Sequence, residues 1–337
     1  MKLWAALCLI YNGIFQSTAH ALCENNAHVE GRWVLDSSID RKQFVCGYNP
    51  NFTEADYTFH DGNLNFEYSK GCTCDEADHT MNAVTQREKY QWVPTHCVLP
   101  KWDAISFCSV LGNRTIMIIG DSTMHQSSTT LMAMISQNNA KCAHQITYGQ
   151  SHFLIYGHPT NFKMVHQVEK FYRLHNHLPD IVILTVGAHL GDMGDLTTIW
   201  ETPEGLINDI NFLRSNPWGQ HHNISFVWKT QNPGHINCTG TPNPLTEIKI
   251  GSVDDPVDIF HWNIHPAFDE KNKNYSKALD IKVLDMSPLY YRADGHPSLK
   301  QLLYQKKVFY DCLHYCVPGP LYLFPVLLYN MLLNREI

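Results

Sequence analysis

Charge is scarce in this chain: only 17% of its 337 residues are Asp, Glu, Lys or Arg, against about 25% in an average soluble domain. No run of Lys or Arg occurs, and the formal net charge is −7. Both features argue against nucleic acid or an anionic membrane surface as partner. Internal repeats and low-complexity tracts are missing as well, which removes solenoid and linker readings. No apolar run reaches the ~20 residues needed to span a bilayer. The first such run, over 3–15, is interrupted by Tyr11-Asn12-Gly13; the last, over 321–333, is broken by Pro325 and Asn330 and followed by Arg335 and Glu336. Lys2 before the first run and Ala19-His20-Ala21 after it have the order of a cleaved secretory signal, expected over 1–21. A tail ending in charges does not fit a lipid-anchor signal. It is expected to be a docked terminal helix beside residues 311–314.

Cysteine is plentiful. Cys8 falls in the signal, leaving Cys23, Cys46, Cys72, Cys74, Cys97, Cys108, Cys142, Cys238, Cys312 and Cys316. An even count in a secreted chain implies a full set of disulfides. Zinc at Cys72-x-Cys74 or Cys312-x-His314-x-Cys316 is the competing reading, but neither has the repeated cysteine pairs of a structural zinc site. Five sequons, at Asn51, Asn113, Asn223, Asn237 and Asn274, fit a lumenal route through the ER and Golgi with N-glycans. Asn113 is discounted for lying so near the strand that follows it.

The chain is read as a signal over 1–21, a turn-rich cysteine-bearing segment over 22–100 packed on the core, and an α/β domain over 101–337. From Arg114 onward, strand candidates at 115–119, 180–186, 225–229 and 281–284 alternate with helical candidates at 127–137, 165–174, 204–216 and 299–310. Buried apolar runs alternating with amphipathic ones argue for a parallel sheet flanked by helices. In such folds the site lies beyond the carboxyl ends of the strands. Trp33 and Trp92 are as readily explained by core packing as by sugar stacking.

One stretch organises the rest. Ile116-Met117-Ile118-Ile119 runs into Gly120-Asp121-Ser122 and then a helical pattern, giving strand, tight turn and helix with a serine on the turn. There a hydroxyl is exposed beside a helix N-terminus, and acyl transfer needs that combination of nucleophile and backbone donor. Ser as an ordinary N-cap is the plain alternative. At the far end, Asp311-Cys312-Leu313-His314 places a carboxylate three residues before an imidazole, close enough on a helical turn to orient it. Ser122, His314 and Asp311 are therefore the candidate nucleophile, base and orienting carboxylate. The N–H groups of Ser122 and Gly187 are the candidate oxyanion donors. His189, Asn232 and His235, at strand ends, and Asp294 and His296 are pocket candidates. Asp294-Gly295-His296 is the rival catalytic pair, disfavoured because residues two apart on an extended chain point to opposite faces. A histidine base of ordinary pKa loses function below roughly pH 6.

Gly-Asp-Ser with a late Asp-x-x-His resembles the SGNH/GDSL superfamily. The surrounding text is more specific: Gly31-x-Trp33-x-x-Asp36, Trp92-Val93-Pro94, Cys97-Val98-Leu99-Pro100, Arg292-Ala293-Asp294-Gly295-His296-Pro297 and Asp311 to Gly319. This order resembles the PC-esterase family, which includes the plant trichome-birefringence-like polysaccharide O-acetyltransferases. The resemblance implies an SGNH-like fold with a disulfide-stapled N-terminal lobe and a serine O-acetyltransferase or acetylesterase acting on carbohydrate hydroxyls. It also implies a Cys238–Cys312 bridge and a bond from Cys316 back to Cys72 or Cys74. No cofactor or metal is expected, and the acetyl donor is not named by the sequence. Two departures bear on specificity: His125-Gln126 stand where plant members have Arg-Asn, and Thr185-Val186-Gly187-Ala188-His189-Leu190 lacks their Asn donor. A plant polysaccharide substrate is therefore not carried over. A catalytically idle glycan-binding protein of the same fold is the alternative.

Overall fold

In a computed structural model, the structure describes residues 21–39, 86–136, 140–151, 163–188, 196–215, 223–236, 238, 241–248, 262–296, 300–302, 308–310, 312–316 and 319–337. Near the start, β1 (Gly31–Leu35) pairs antiparallel with β2 (Tyr90–Pro94), Trp33 opposite Trp92. Helix α1 (Ala104–Leu111) follows, N-capped by Asp103, whose carboxylate accepts the Ser106 N–H. The core then alternates: β3 (Ile116–Gly120), α2 (Ser122–Ser136), β4 (Ile146–Gln150), α3 (Met164–His175), β5 (Ile181–Leu184), α4 (Leu196–Arg214), β6 (Ser225–Lys229), α5 (His265–Ala278) and β7 (Lys282–Leu284). β8 (Lys300–Leu302) and β9 (Val308–Tyr310) form a small antiparallel pair, and α6 (Leu323–Leu333) ends the described chain.

The five core strands run parallel in the order β4-β3-β5-β6-β7. Side chains alternate along each strand, so the apolar run of β3 feeds two cores. Ile116 and Ile118 join Phe107, Leu131, Phe324 and Leu327, under α1, α2 and α6. Met117 and Ile119 join Val168, Phe171, Ile210 and Phe268, under α3, α4 and α5. Burial on both faces explains why β3 reads as unbroken Ile and Met rather than an alternating pattern. The chain leaves β3 for β4 and returns on its other side as β5, so the order reverses around β3. Ligand sites of open α/β sheets sit at that reversal, outside the carboxyl ends.

The terminal helix is buried along nearly its whole length and packs on α1 and α2. Asn330, which breaks the apolar run in the sequence, has a structural use: its amide and that of Asn334 donate to the Cys23 carbonyl. Among the described residues no helix is long and apolar enough to cross a membrane.

Four expectations shift. β4 carries Thr147, Gly149 and Gln150, too polar to read as a core strand. α5 hides because its inner face is polar: Asp269, Asn272 and Ser276 are all buried. Within the helix expected over 299–310, the described residues 300–302 and 308–310 are strands instead, β8 and β9, pairing Lys300 with Tyr310, in keeping with the strand preference of Val308-Phe309-Tyr310. Cys312 to Cys316, around His314, form a bend rather than a helical turn, and Asp311, the other half of the expected i, i+3 pair, lies outside the described residues.

Disulfides join Cys23 to Cys97, Cys108 to Cys142, and Cys238 to Cys312. Cys316 is also disulfide-bonded, to a cysteine outside the described residues. With Cys312 and Cys316 both oxidised, zinc at Cys312-x-His314-x-Cys316 is ruled out. The Cys238–Cys312 pair named by resemblance is present. Replacing both cysteines with serine is expected to lower unfolding free energy by about 2–4 kcal/mol. Denaturant unfolding checks this, and an unchanged midpoint would show that the bridge adds nothing to the fold.

Candidate active site

Ser122 is the first residue of α2, directly past the carboxyl end of β3, and half-buried. Its turn is held from every side. Asp121, fully buried, accepts the Thr123 N–H at 2.9 Å and the Thr123 hydroxyl at 2.7 Å with Oδ1. Its Oδ2 accepts the Ala188 N–H at 3.2 Å, tying the turn to the segment after β5. The Tyr148 hydroxyl, from β4, reaches the carbonyls of Gly120 and Asp121 at 2.9 and 3.0 Å. No described residue accepts a hydrogen bond from the N–H of Ser122 or of Gly187, and these are the two groups named as oxyanion donors.

His314 arrives from the other end of the chain. Its Nε2 lies 2.8 Å from Ser122 Oγ across 192 residues of sequence. That is the contact a nucleophile–base pair needs. Asp311, expected to orient the ring, and His189 lie outside the described residues.

Gln126 completes the alignment. One helical turn beyond Ser122 on α2, its amide donates to the Tyr315 carbonyl at 2.9 Å and accepts the Tyr315 N–H at 3.1 Å. The residue after His314 is thus clamped at both backbone groups by the helix that carries Ser122. The sequence showed Gln126 only as a departure from the plant pattern. The available signal was its spacing of four from Ser122, which puts both on one helix face.

The remaining candidates are close by but differently employed. Asn232 stands behind the Ser122 turn: its carboxamide accepts from Lys229 Nζ at 2.7 Å and donates to the Thr123 carbonyl at 2.9 Å and Ser127 Oγ at 3.1 Å. Lys229 is fully buried at the end of β6, and burial pushes its ammonium down to about 7 against the pull of Asp121 and Asp269. Asp269, likewise enclosed, is pushed up to about 8 by burial and by Asp285. Asp294 accepts a two-pronged contact from Arg292 at 2.8 and 2.9 Å, a buried pair whose guanidinium also sits 4.5 Å from the Trp33 ring centroid and 5.3 Å from that of Tyr90. That contact seats the β1–β2 segment on the layer beneath the site. Trp92 is buried with its indole N–H on the His28 carbonyl, so it packs rather than presenting a face to sugar.

His235 and His296 meet ring to ring at 2.7 Å, and His296 reaches the His314 carbonyl at 2.8 Å. Burial lowers His235 to about 4, and it lowers His28 too. A histidine depressed in the fold gives stability that is complete above its unfolded pKa near 6.5 and is lost as pH falls through the folded value. Stability is therefore expected to drop between pH 6.5 and 4, by roughly 3 kcal/mol for His235 alone. Urea unfolding at the two ends checks this; a flat profile would refute it.

Residues 212–331 match the PC-Esterase family, described as a GDSL/SGNH-like acyl-esterase family found in Pmr5 and Cas1p. The chain is 24% identical to Protein YLS7 of Arabidopsis thaliana over 69% of its own length and 60% of that protein. It is 21% identical to xyloglucan O-acetyltransferase 4 of Populus trichocarpa over 86% of its own length and 84% of that protein. It thus spans less than two thirds of the first relative. Among solved structures, a carbohydrate acetylesterase family member from Sinorhizobium meliloti aligns with 66% of this chain and 99% of its own at 12% identity and TM-score 0.40.

Proposed function

We infer that this chain, a member of the PC-esterase family of GDSL/SGNH-like acyl-esterases, moves an acyl group, in particular acetyl, to or from a carbohydrate hydroxyl, with Ser122 as nucleophile. The observation that carries the reading is the 2.8 Å approach of His314 Nε2 to Ser122 Oγ, beside two N–H groups that no described residue engages. His314 takes the hydroxyl proton as Oγ attacks the acyl carbonyl. The tetrahedral oxyanion is met by the N–H groups of Ser122 and Gly187, each able to contribute about 3 kcal/mol to lowering the barrier. His314 then returns the proton to the departing alkoxide, leaving the acyl-enzyme. A water or sugar hydroxyl gives its proton to the same ring and attacks the acyl carbon, and His314 passes that proton to Ser122 Oγ as the bond from Oγ to the acyl carbon breaks. Asp311 is assigned the orienting role.

Esterase and transferase share these groups and differ only in what attacks the acyl-enzyme. A carbohydrate substrate met in the secretory pathway is supported by the xyloglucan O-acetyltransferase relative, the signal-like residues 1–21 and the disulfides. The sequons at Asn113, Asn223 and Asn274 are exposed, and Asn113 lies at the opposite end of β3 from Ser122, which makes it a better N-glycan acceptor than its closeness in sequence implied. The glycan-binding alternative loses the Trp92 face it would use. A fluorophosphonate tests the reading: mass spectrometry should find the adduct on Ser122, and its absence at full reagent consumption elsewhere would sink it.

A further inference from the structure

His235 and His296 take no part in the acyl chemistry just described, yet their rings form a buried chain that ends on the base's own peptide. They are 3% and 2% exposed. His235 Nε2 meets the Tyr290 carbonyl oxygen at 3.0 Å, His235 Nδ1 meets His296 Nε2 at 2.7 Å, and His296 Nδ1 meets the His314 carbonyl oxygen at 2.8 Å. A carbonyl oxygen only accepts, so both end nitrogens must carry protons. The contact between the two rings needs a third proton. Two neutral imidazoles hold two between them. Satisfying all three contacts takes one proton more.

We propose that His235 and His296 are a proton-sharing pair of positioning residues, carrying one added positive charge, that pins the His314 carbonyl and loses the contact between its two rings, and with it the backing of that pin, when the added proton leaves at alkaline pH. This rests on the reading of His314 as the base. The surroundings fit a cation. The Tyr315 ring lies against His296 with centroids 4.3 Å apart and planes at 33°, and an aromatic face within about 6 Å attracts positive charge. The described titratable and charged groups facing the pair are Arg292 and Asp294 from its own turn, Tyr290 from the preceding turn, and His314 and Tyr315 from the catalytic turn. Arg292 is already neutralised by Asp294. Burial holds His235 neutral, so His235 offers Nδ1 as acceptor and the added proton resides on His296. The His235 N–H donates to the Cys312 carbonyl at 2.9 Å, and the Cys238–Cys312 bridge closes the same loop. The pair therefore pushes from an anchored base.

The test has two arms on the full chain. Nitrogen NMR of histidine-labelled protein at pH 7 should show His296 protonated at both nitrogens and His235 at Nε2 alone. Two neutral rings at pH 7 would overturn the proposal. In the second arm, kcat on an acetyl ester is followed to alkaline pH for the wild type, His296→Ala and His296→Asn. Asparagine can place an amide N–H where Nδ1 stood, and it does not titrate. The wild type should lose kcat at alkaline pH; His296→Ala should be about a hundredfold slower throughout. His296→Asn should stay within about tenfold of wild type at pH 7 and show no alkaline loss. A role in stability alone would lower melting temperature and leave the profile's shape intact, and an Asn variant with the wild-type alkaline loss would also refute the pairing. If neither variant folds, the NMR arm still decides. That arm does not depend on turnover, so an active Ser122→Ala enzyme would remove the nucleophile assignment without touching the proton count.

Discussion

Ser122→Ala is expected to lower kcat on an acetyl ester by about six orders of magnitude, as removal of a serine nucleophile does in triad enzymes. The hydroxyl is the only atom lost. Its hydrogen bond in the described structure is the one to His314, while the turn is held by Asp121, Thr123 and Tyr148 through contacts that the substitution leaves in place. The thermal midpoint should therefore move by no more than about 2 °C. Stopped assays and a melting curve on the same preparation check both halves. Turnover like the wild type would remove Ser122 from the mechanism.

His314→Ala should be nearly as severe, with kcat down by about five or six orders of magnitude, because nucleophile and base act as a unit. The double variant Ser122→Ala/His314→Ala should be no slower than either single one. That non-additivity distinguishes a shared step from two independent injuries. Asp294-Gly295-His296 is the rival pair, and the geometry places it in the supporting layer: Asp294 holds Arg292 rather than an imidazole, and His296 touches the peptide of His314 rather than Ser122. A dead His296→Ala enzyme beside an active His314→Ala one would reverse the assignment.

Some of this architecture could be read from residues alone. β3 was legible because burial on both faces demands four apolar residues in a row, and the Gly-Asp-Ser turn because the pattern changes there from strand to helix. His314 was legible through its resemblance to a known motif, and so was the Cys238–Cys312 bridge. What stayed hidden depends on tertiary neighbours. The inner face of α5 carries Asp269, which accepts the Gln231 N–H from beyond β6, and Asn272, which bonds back to the Phe268 carbonyl of its own helix, so its helical stripe is invisible to a hydrophobic count. Residues 299–310 have leucines at helical spacing, but the described residues 300–302 and 308–310 pair strand to strand. The Gln126 clamp and the histidine pair join residues 189 and 61 positions apart, and no local rule reports such a contact.

The separation of Ser122 from His314 has a kinetic meaning. A contact spanning 192 residues closes a loop whose entropy must be offset by the rest of the fold, and contacts of that range form late. Helix α2 and its serine can take shape locally, yet catalysis cannot begin until the sheet, the 231–236 loop and the C-terminal turn have all docked. Under the proposed mechanism, acyl-transfer activity is therefore a readout of complete folding. During refolding it should lag behind the return of helical circular dichroism, and an intermediate with native secondary structure should be inert.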